Sequence, residues 1–292
     1  MENSILLFLA VLVTTGIWFR FLYKFDRVEP EPLKEVIKIG LIGGFLSTFI
    51  AGVLNTQFAS AVGFSLEGKG NSFFPTLLFS SYVGINEELF KFLPAYFLIN
   101  KSKEVDEPID PLIYATAIGL GFAMIENIQY TFQHGLLNLG FRTITAIPLH
   151  IGTACLWGKG ISDSIFLKKG KNYIFKPLVY AILIHAGYDL INFSISIPYI
   201  SLLISVLIAF ALIKSITKDM VYLRNQSPFI PPGYCATCGT QNDSDSRVCM
   251  ECGADIAQIY YKVCLQCNSK SPSDAKICPG CGYNFQQMSG ES

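Results

Sequence analysis

The chain has 292 residues, of which 51% are hydrophobic and only 15% charged, and its mean hydropathy is +0.42. An ordinary soluble domain carries about 25% charged residues, so these values exclude a single soluble globule. The 22 basic and 22 acidic residues cancel, which excludes the strong positive field of a nucleic-acid binder. Eight of the nine cysteines lie between Cys235 and Cys281, and only Cys155 precedes them. Two different kinds of polymer are therefore joined in one chain.

Residues 1–216 hold long apolar runs. A membrane-spanning helix needs about 20 mostly apolar residues. Seven runs qualify: 4–22, 36–54, 73–99, 112–133, 142–161, 177–197 and 199–216. They lack the polar stripe of a surface helix. The first run has no basic residue before it and no small-residue cleavage site, so it is not expected to be a cleaved leader. Arg20, Lys24 and Arg27 follow it, which places the N-terminus outside. The later connections test this. Lys34 and Lys38 extend the first basic cluster; Lys101 and Lys103 follow the third run; Lys159, Lys168, Lys169, Lys171 and Lys176 surround the fifth connection; Lys214, Lys218 and Arg224 follow the last. The intervening connections carry only Lys69, or Arg142 at an edge, or no basic residue. This alternation predicts an all-α polytopic membrane protein with seven spans, N-out and C-in.

Charges at membrane depth are costly and mark function. The third run carries Glu87, Glu88 and Lys91; the fourth Glu126 and Asn127; the fifth His150, eight residues after Arg142; the sixth His185 and Asp189. At about 1.5 Å rise per residue, Glu87 and Asp189 sit about 18 Å from the cytosolic end of their spans, Glu126 about 21 Å, His150 about 16 Å and His185 about 12 Å. A shared mid-membrane cavity is expected. Glu87 and Lys91 share a face at i, i+4, as do His185 and Asp189, so the aspartate could orient the imidazole. Lys91 could compensate a carboxylate or hold substrate backbone. Glu88 is turned about 100° from Glu87 and should do a different job.

Such groups can activate water: a desolvated carboxylate acts as general base, and histidines with carboxylates can hold a divalent metal. The same residue types serve an ion or proton pathway, or a buried ion-pair network that merely holds the bundle. Other intramembrane protease chemistries lack their residues. No two of the three histidines are four apart, the deep spans hold only Asp189 as aspartate, and no serine lies in G-x-S-x-G. Cys155, inside a span, reads as a small packing residue.

The tail follows a linker, Ser227-Pro228-Phe229-Ile230-Pro231-Pro232-Gly233. Cys235, Cys238, Cys249 and Cys252 form C-x2-C, ten residues, C-x2-C, and Cys264, Cys267, Cys278 and Cys281 repeat this 29 positions later. Two such turns complete a tetrahedral four-thiolate zinc site. The glycines after Cys238, Cys252 and Cys281 suit tight turns. A disulfide framework is the alternative, disfavoured by a cytosolic location. Four ligands per zinc leave no open position, so both zinc ions should be structural. The tail resembles double zinc ribbon modules. Six acidic against four basic residues from 228 onward disfavour nucleic acid and favour a cytosolic protein partner. The expected domains are a membrane domain at 1–220, a linker at 221–233, and ribbons at 234–254 and 263–285.

The motifs N-E-E-L-F-K at 86–91, D-E-P-I-D at 106–110, Y-A-T-A-I-G-L-G-F-A-M-I-E-N at 114–127, Arg142 with His150, and His185 with Asp189 together resemble the PrsW family. That family comprises polytopic intramembrane proteases related to type II CAAX prenyl endopeptidases. The resemblance covers most of 1–216, and the ribbons lie outside it. It implies cleavage of a membrane-anchored, single-span protein, typified by an anti-sigma factor, in the lipid of a cell membrane. Glu87 and Glu88 match the paired glutamates, Glu126 and Asn127 the second motif, His150 the third, and His185 with Asp189 the fourth. The resemblance leaves open a metalloprotease, with Glu87, Glu126, His150 and His185 around a divalent metal such as zinc, and a metal-free glutamate protease. Lys91 would stabilise the site. A transporter using the same groups, or an inactive scaffold recruiting partners through its ribbons, are the alternatives. Abundant lysine, isoleucine and asparagine suggest a bacterial source.

Overall fold

The computed structural model describes residues 4–66, 71–102, 104–167, 170, 172–195, 197–230, 233–256, 261–264, 266–267, 269–272 and 277–283. Among them are seven helices: α1 (Ser4–Tyr23), α2 (Leu33–Val62), α3 (Phe73–Lys101), α4 (Asp110–Ile144), α5 (Ala146–Ile165), α6 (Asn172–Ser194) and α7 (Pro198–Arg224). Each falls on one of the expected apolar runs. Five stretches are long and apolar enough to cross a membrane: α1, α2, α6, α7, and 110–165, which joins α4 and α5. α3 does not reach that apolarity, and it is the helix that carries Glu87, Glu88 and Lys91. Of the loop lysines used for orientation, Lys69, Lys103, Lys168, Lys169 and Lys171 lie outside the described residues.

α4 and α5 form the centre. Every residue of α4 from Asp110 to Met124 is buried, and so is most of α5. The other helices wrap this pair and turn large apolar side chains outward, among them Phe49 on α2, Leu183 on α6 and Phe210 on α7. Such a surface is stable only against lipid. Small residues let the helices approach, as helix association in lipid requires. A Cβ added to Gly44 of α2 would stand 2.4 Å from the carbonyl carbon of Gly121 in α4, and one on Gly121 would stand 2.0 Å from the Gly40 carbonyl oxygen. Pro94 inside α3 cannot donate to the carbonyl of Phe90; the Ser47 hydroxyl of α2 lies 2.7 Å from that oxygen and shares its proton between it and the Gly43 carbonyl at 2.6 Å.

Two expectations are corrected. The 134–141 connection is not a loop: α4 runs on to Ile144, broken only at Gly135, whose φ of 78° and ψ of −176° redirect the chain. The fifth element accordingly starts at Ala146, and Arg142 belongs to the last turn of α4 rather than to the helix of His150. A glycine adopts that conformation without the Cβ clash that would bar other residues, so two helical segments meet at a kink there. At the other end, α7 continues to Arg224, into the expected linker.

In the tail, strands β1 (Tyr261–Val263) and β2 (Lys270–Pro272) pair antiparallel, with Lys262 opposite Ser271. Parts of the second expected ribbon, at 265, 268, 273–276 and 284–285, lie outside the described residues.

Candidate active site

The deep polar residues converge from four helices. α3 presents Glu87, Glu88 and Lys91, α4 presents Glu126 and Asn127, α5 presents His150, and α6 presents His185 and Asp189. Gly84 allows this: its Cβ would lie 2.8 Å from the Ile182 carbonyl and the Ala186 amide, so α3 and α6 touch backbone to backbone beside His185.

Glu88 is fully buried and is the hub. Its Oε1 accepts from Lys91 Nζ at 2.8 Å and Thr153 Oγ1 at 3.0 Å, and lies 2.7 Å from His185 Nδ1. Its Oε2 accepts from Trp157 Nε1 at 3.1 Å. Four groups thus converge on Glu88, which ties α3 to α5 and α6. Lys91 is fully buried as well. It lies 3.0 Å from His150 Nδ1, 3.7 Å from Glu87 Oε2, and 4.1 Å above the Phe122 ring. It is paired with the carboxylates of Glu88 and Glu87 and has no exposed surface.

Glu87 differs from its neighbour. Its Oε1 accepts from Asn55 Nδ2 at 3.0 Å, and Asn86 fixes that asparagine through a 2.7 Å bond. Its Oε2 is buried with no hydrogen-bond partner, 3.5 Å from His185 Nε2. Asp189 Oδ2 is also without a partner, 3.8 Å from the same nitrogen. The imidazole of His185 is therefore oriented by Glu88 at Nδ1, not by Asp189 as the i, i+4 spacing suggested. In the neutral ring, a carboxylate contact at Nδ1 places the proton there and turns the Nε2 lone pair toward Glu87 and Asp189.

Glu126 lies to the other side. Its Oε2 accepts from Arg142 Nη2 at 2.5 Å and lies 2.9 Å from His150 Nε2. Arg142 Nε donates to Asn127 Oδ1 at 2.6 Å, and the guanidinium stacks 4.0 Å from the Tyr130 ring. A cavity of about 660 Å³ opens onto Glu87, Glu126, Arg142, His150, His185 and Asp189. That is within the range of ligand clefts.

Sequence comparison decides the family. The family model described as PrsW family intramembrane metalloprotease matches residues 31–215, and that of the double zinc ribbon matches 235–282. The chain belongs to the PrsW family. It is 33% identical over 194 residues to Protease PrsW of Clostridioides difficile strain 630, covering 63% of this chain and 78% of that protein. It is 27% identical over 181 residues to Protease PrsW of Bacillus subtilis strain 168, covering 60% and 78%. Against Protease PrsW of Geobacillus kaustophilus strain HTA426 the figures are 26% over 171 residues, 58% and 72%. No solved structure matches. As a PrsW protein, the chain is an intramembrane protease.

The family description implies a metal, and the donor set can be tested against one. Glu87, His150 and His185 each offer a ligand atom within 4.8 Å of the others, all buried. The unpartnered Glu87 Oε2 and the open Nε2 of His185 suit a zinc-type ion. His150 is the weaker member, since Lys91 and Glu126 face its two nitrogens. Glu126 lies outside this trio.

Arg142, Asn55, Thr153 and Trp157 join the site without having been expected to build it. Arg142 is visible in the sequence as a charge at membrane depth. The other three carry no such signal, since a polar side chain in an apolar run is legible only once its partner is known.

The tail holds both four-cysteine sets. Sγ separations are 3.6 Å for Cys235–Cys252, 3.5 Å for Cys238–Cys249, 3.6 Å for Cys264–Cys281 and 3.5 Å for Cys267–Cys278. A disulfide needs about 2.05 Å. A tetrahedron with Zn–S near 2.3 Å has an edge of about 3.8 Å, close to these values. Gly239, Gly253 and Gly282, each following a cysteine, have φ of 83°, 68° and 72°. Cys155 is buried in the apolar core.

Proposed function

We propose that this chain cuts a peptide bond in a membrane-anchored, single-span protein, with Glu87 activating the attacking water. One observation carries the reading: Glu87 keeps a buried, unpartnered oxygen beside the open nitrogen of His185, at the edge of a cavity inside a helical bundle. A carboxylate so placed is a general base. Glu87 takes a proton from water as the oxygen bonds to the scissile carbonyl carbon. It returns the proton to the amide nitrogen as the C–N bond breaks. Arg142, paired with Glu126 at the cavity wall, is the cation placed to face the developing oxyanion, whereas Lys91 lies buried behind the wall against Glu88 and His150.

The Glu87–His150–His185 trio favours a second reading, in which these three hold a divalent metal. Bound there, the metal supplies Lewis acidity toward the scissile carbonyl. Glu87 is then a ligand, and Asp189 Oδ2 is the unpartnered oxygen left to accept a proton. We further propose an N-out, C-in orientation in a bacterial cell membrane, with the ribbons in the cytosol contacting a protein partner. The positive-inside pattern and the bacterial relatives support this.

Purified protein is reconstituted with candidate single-span proteins of the anti-sigma-factor kind. Cleavage by wild type, abolished in Glu87→Gln and His185→Ala, supports the protease reading. Proton or ion flux that depends on the same residues, without cleavage, supports a transporter. An asparagine substitution of Asp189 that abolishes cleavage as fully as Glu87→Gln favours the metal reading.

A further inference from the structure

The D-E-P-I-D stretch at 106–110 plays no part in the catalytic cavity, yet it builds a second buried cluster. Asp26 follows α1, Glu107 precedes α4, and Asp110 opens it. One carboxylate oxygen of each lies within 4.8 Å of the others. The three side chains are buried, with relative exposures of 5%, 0% and 0%.

Each carboxylate is anchored through one oxygen. Asp26 Oδ2 accepts from the Glu31 amide at 2.8 Å. Asp110 Oδ2 accepts from the amides of Asp106 at 2.9 Å and Glu107 at 2.7 Å. Glu107 Oε1 accepts from the Ser227 hydroxyl. The second oxygens, Asp26 Oδ1, Glu107 Oε2 and Asp110 Oδ1, are buried with no hydrogen-bond partner. Glu31 repeats the pattern beside them. Its Oε2 accepts from the Tyr114 hydroxyl, and its Oε1 is unpartnered.

Among the described residues, no lysine, arginine or histidine pairs with any of the four. Burial pushes Asp26 up to about 6 against the lowering effect of the Glu31 amide, with the Glu29 carboxylate adding to the rise. Burial likewise pushes Glu31 and Glu107 up to about 8. Orphaned buried oxygens are rare, and uncompensated buried carboxylates are costly. Backbone donors hold one oxygen of each aspartate in place, which preorganises the set. All donors are hard oxygens, which select Mg²⁺, Ca²⁺ or Mn²⁺ over zinc.

We propose that Asp26, Glu107 and Asp110 bind one hard divalent cation, separate from the catalytic cavity, with Glu31 flanking it. Because Glu107 also holds Ser227, the ion fastens the junction between α1, α4 and the segment leading to the ribbons.

The test uses full-length protein in detergent, passed over a chelating resin and titrated with Mg²⁺, Ca²⁺ or Mn²⁺ separately. Bound metal and thermal unfolding are measured. The expected result is one such ion per chain for wild type, with a Tm that climbs with ion concentration. The ion and the climb are lost in Glu107→Gln and Asp110→Asn and kept in a His150→Ala/His185→Ala variant. Absence of any such ion in wild type overturns the proposal, and this needs no variant to fold. So does an ion that survives Glu107→Gln and Asp110→Asn, or one lost only in the histidine variant.

Discussion

Nδ1 of His185 lies 2.7 Å from Oε1 of Glu88, and that contact divides the paired glutamates into two roles. It fixes the imidazole and turns Nε2 toward Glu87 Oε2, 3.5 Å away. Both oxygens of Glu88 are engaged, whereas Glu87 keeps Oε2 without a hydrogen-bond partner. Adjacent residues on a helix face different neighbours, so consecutive glutamates can hold opposite functions.

Glu87→Gln should abolish most cleavage while leaving the fold intact. General-base catalysis contributes about 10²–10⁴-fold, and the amide can keep the Asn55 contact. The cleavage rate of a reconstituted substrate should fall by at least about 100-fold, with an unchanged Tm. A rate equal to wild type in well-inserted protein would exclude Glu87 as base.

Glu88→Ala should instead damage stability. It leaves Lys91 buried without its 2.8 Å partner and strips the Trp157 indole N–H of its acceptor, while Thr153 falls back on the Leu149 carbonyl. Removing one member of a buried pair costs about 3–5 kcal/mol. Thermal unfolding in detergent should shift sharply downward, well beyond the effect of Glu87→Gln. Equal Tm values for the two variants would refute the division of roles.

Much of this is legible in the sequence because charges in hydrocarbon are conspicuous. Glu87, Glu126, His150, His185 and Asp189 are expected at similar depth, and all five line one cavity. The spacing of the cysteines in two sets of four likewise announces both ribbons. What escapes is direction. Helical spacing puts Asp189 beside His185, yet a residue on another helix, Glu88, takes the nearer nitrogen. The break at Gly135 also escapes, since hydropathy cannot distinguish a polar loop from a polar helical turn. That break carries Arg142 back to Glu126 across sixteen positions.

Arg142 should act as a positioning residue. It holds Glu126 and Asn127 with two nitrogens while stacking on Tyr130. Lysine lacks the fork and the plane, so Arg142→Lys should not restore function. Loss of an orienting partner typically costs about 10–100-fold. The loss should fall in kcat with KM nearly unchanged, and the pH profile should shift as His150 loses a fixed Glu126. A KM effect alone would argue for substrate contact instead.

Zinc removal should separate the two halves of the chain. Ligand thiolates hold a ribbon folded, and chelation unfolds it. The bundle rests on lipid-facing helices and close packing. Cys249→Ser should lower bound zinc by one ion per chain relative to wild type, with far-ultraviolet helicity preserved. Loss of both tail zincs in that variant would mean that the ribbons fold as one unit.

Gly84→Ala should reach the site through the backbone. The added methyl would meet Ala186 N and Ile182 O at 2.8 Å, so α3 and α6 must separate. Overpacking of this kind costs about 1–3 kcal/mol. The same separation moves Glu87 and Glu88 away from His185, and a displacement near 1 Å can cost about 10²-fold in rate. Cleavage should therefore fall far more than the Tm shift alone explains. Alanine at Gly16 of α1, where an added Cβ meets nothing within 4 Å and which does not line the cavity, is the matched control and should change neither. If Gly84→Ala lowers Tm and rate only in proportion, the close approach of α3 and α6 serves stability and not the alignment of the catalytic groups.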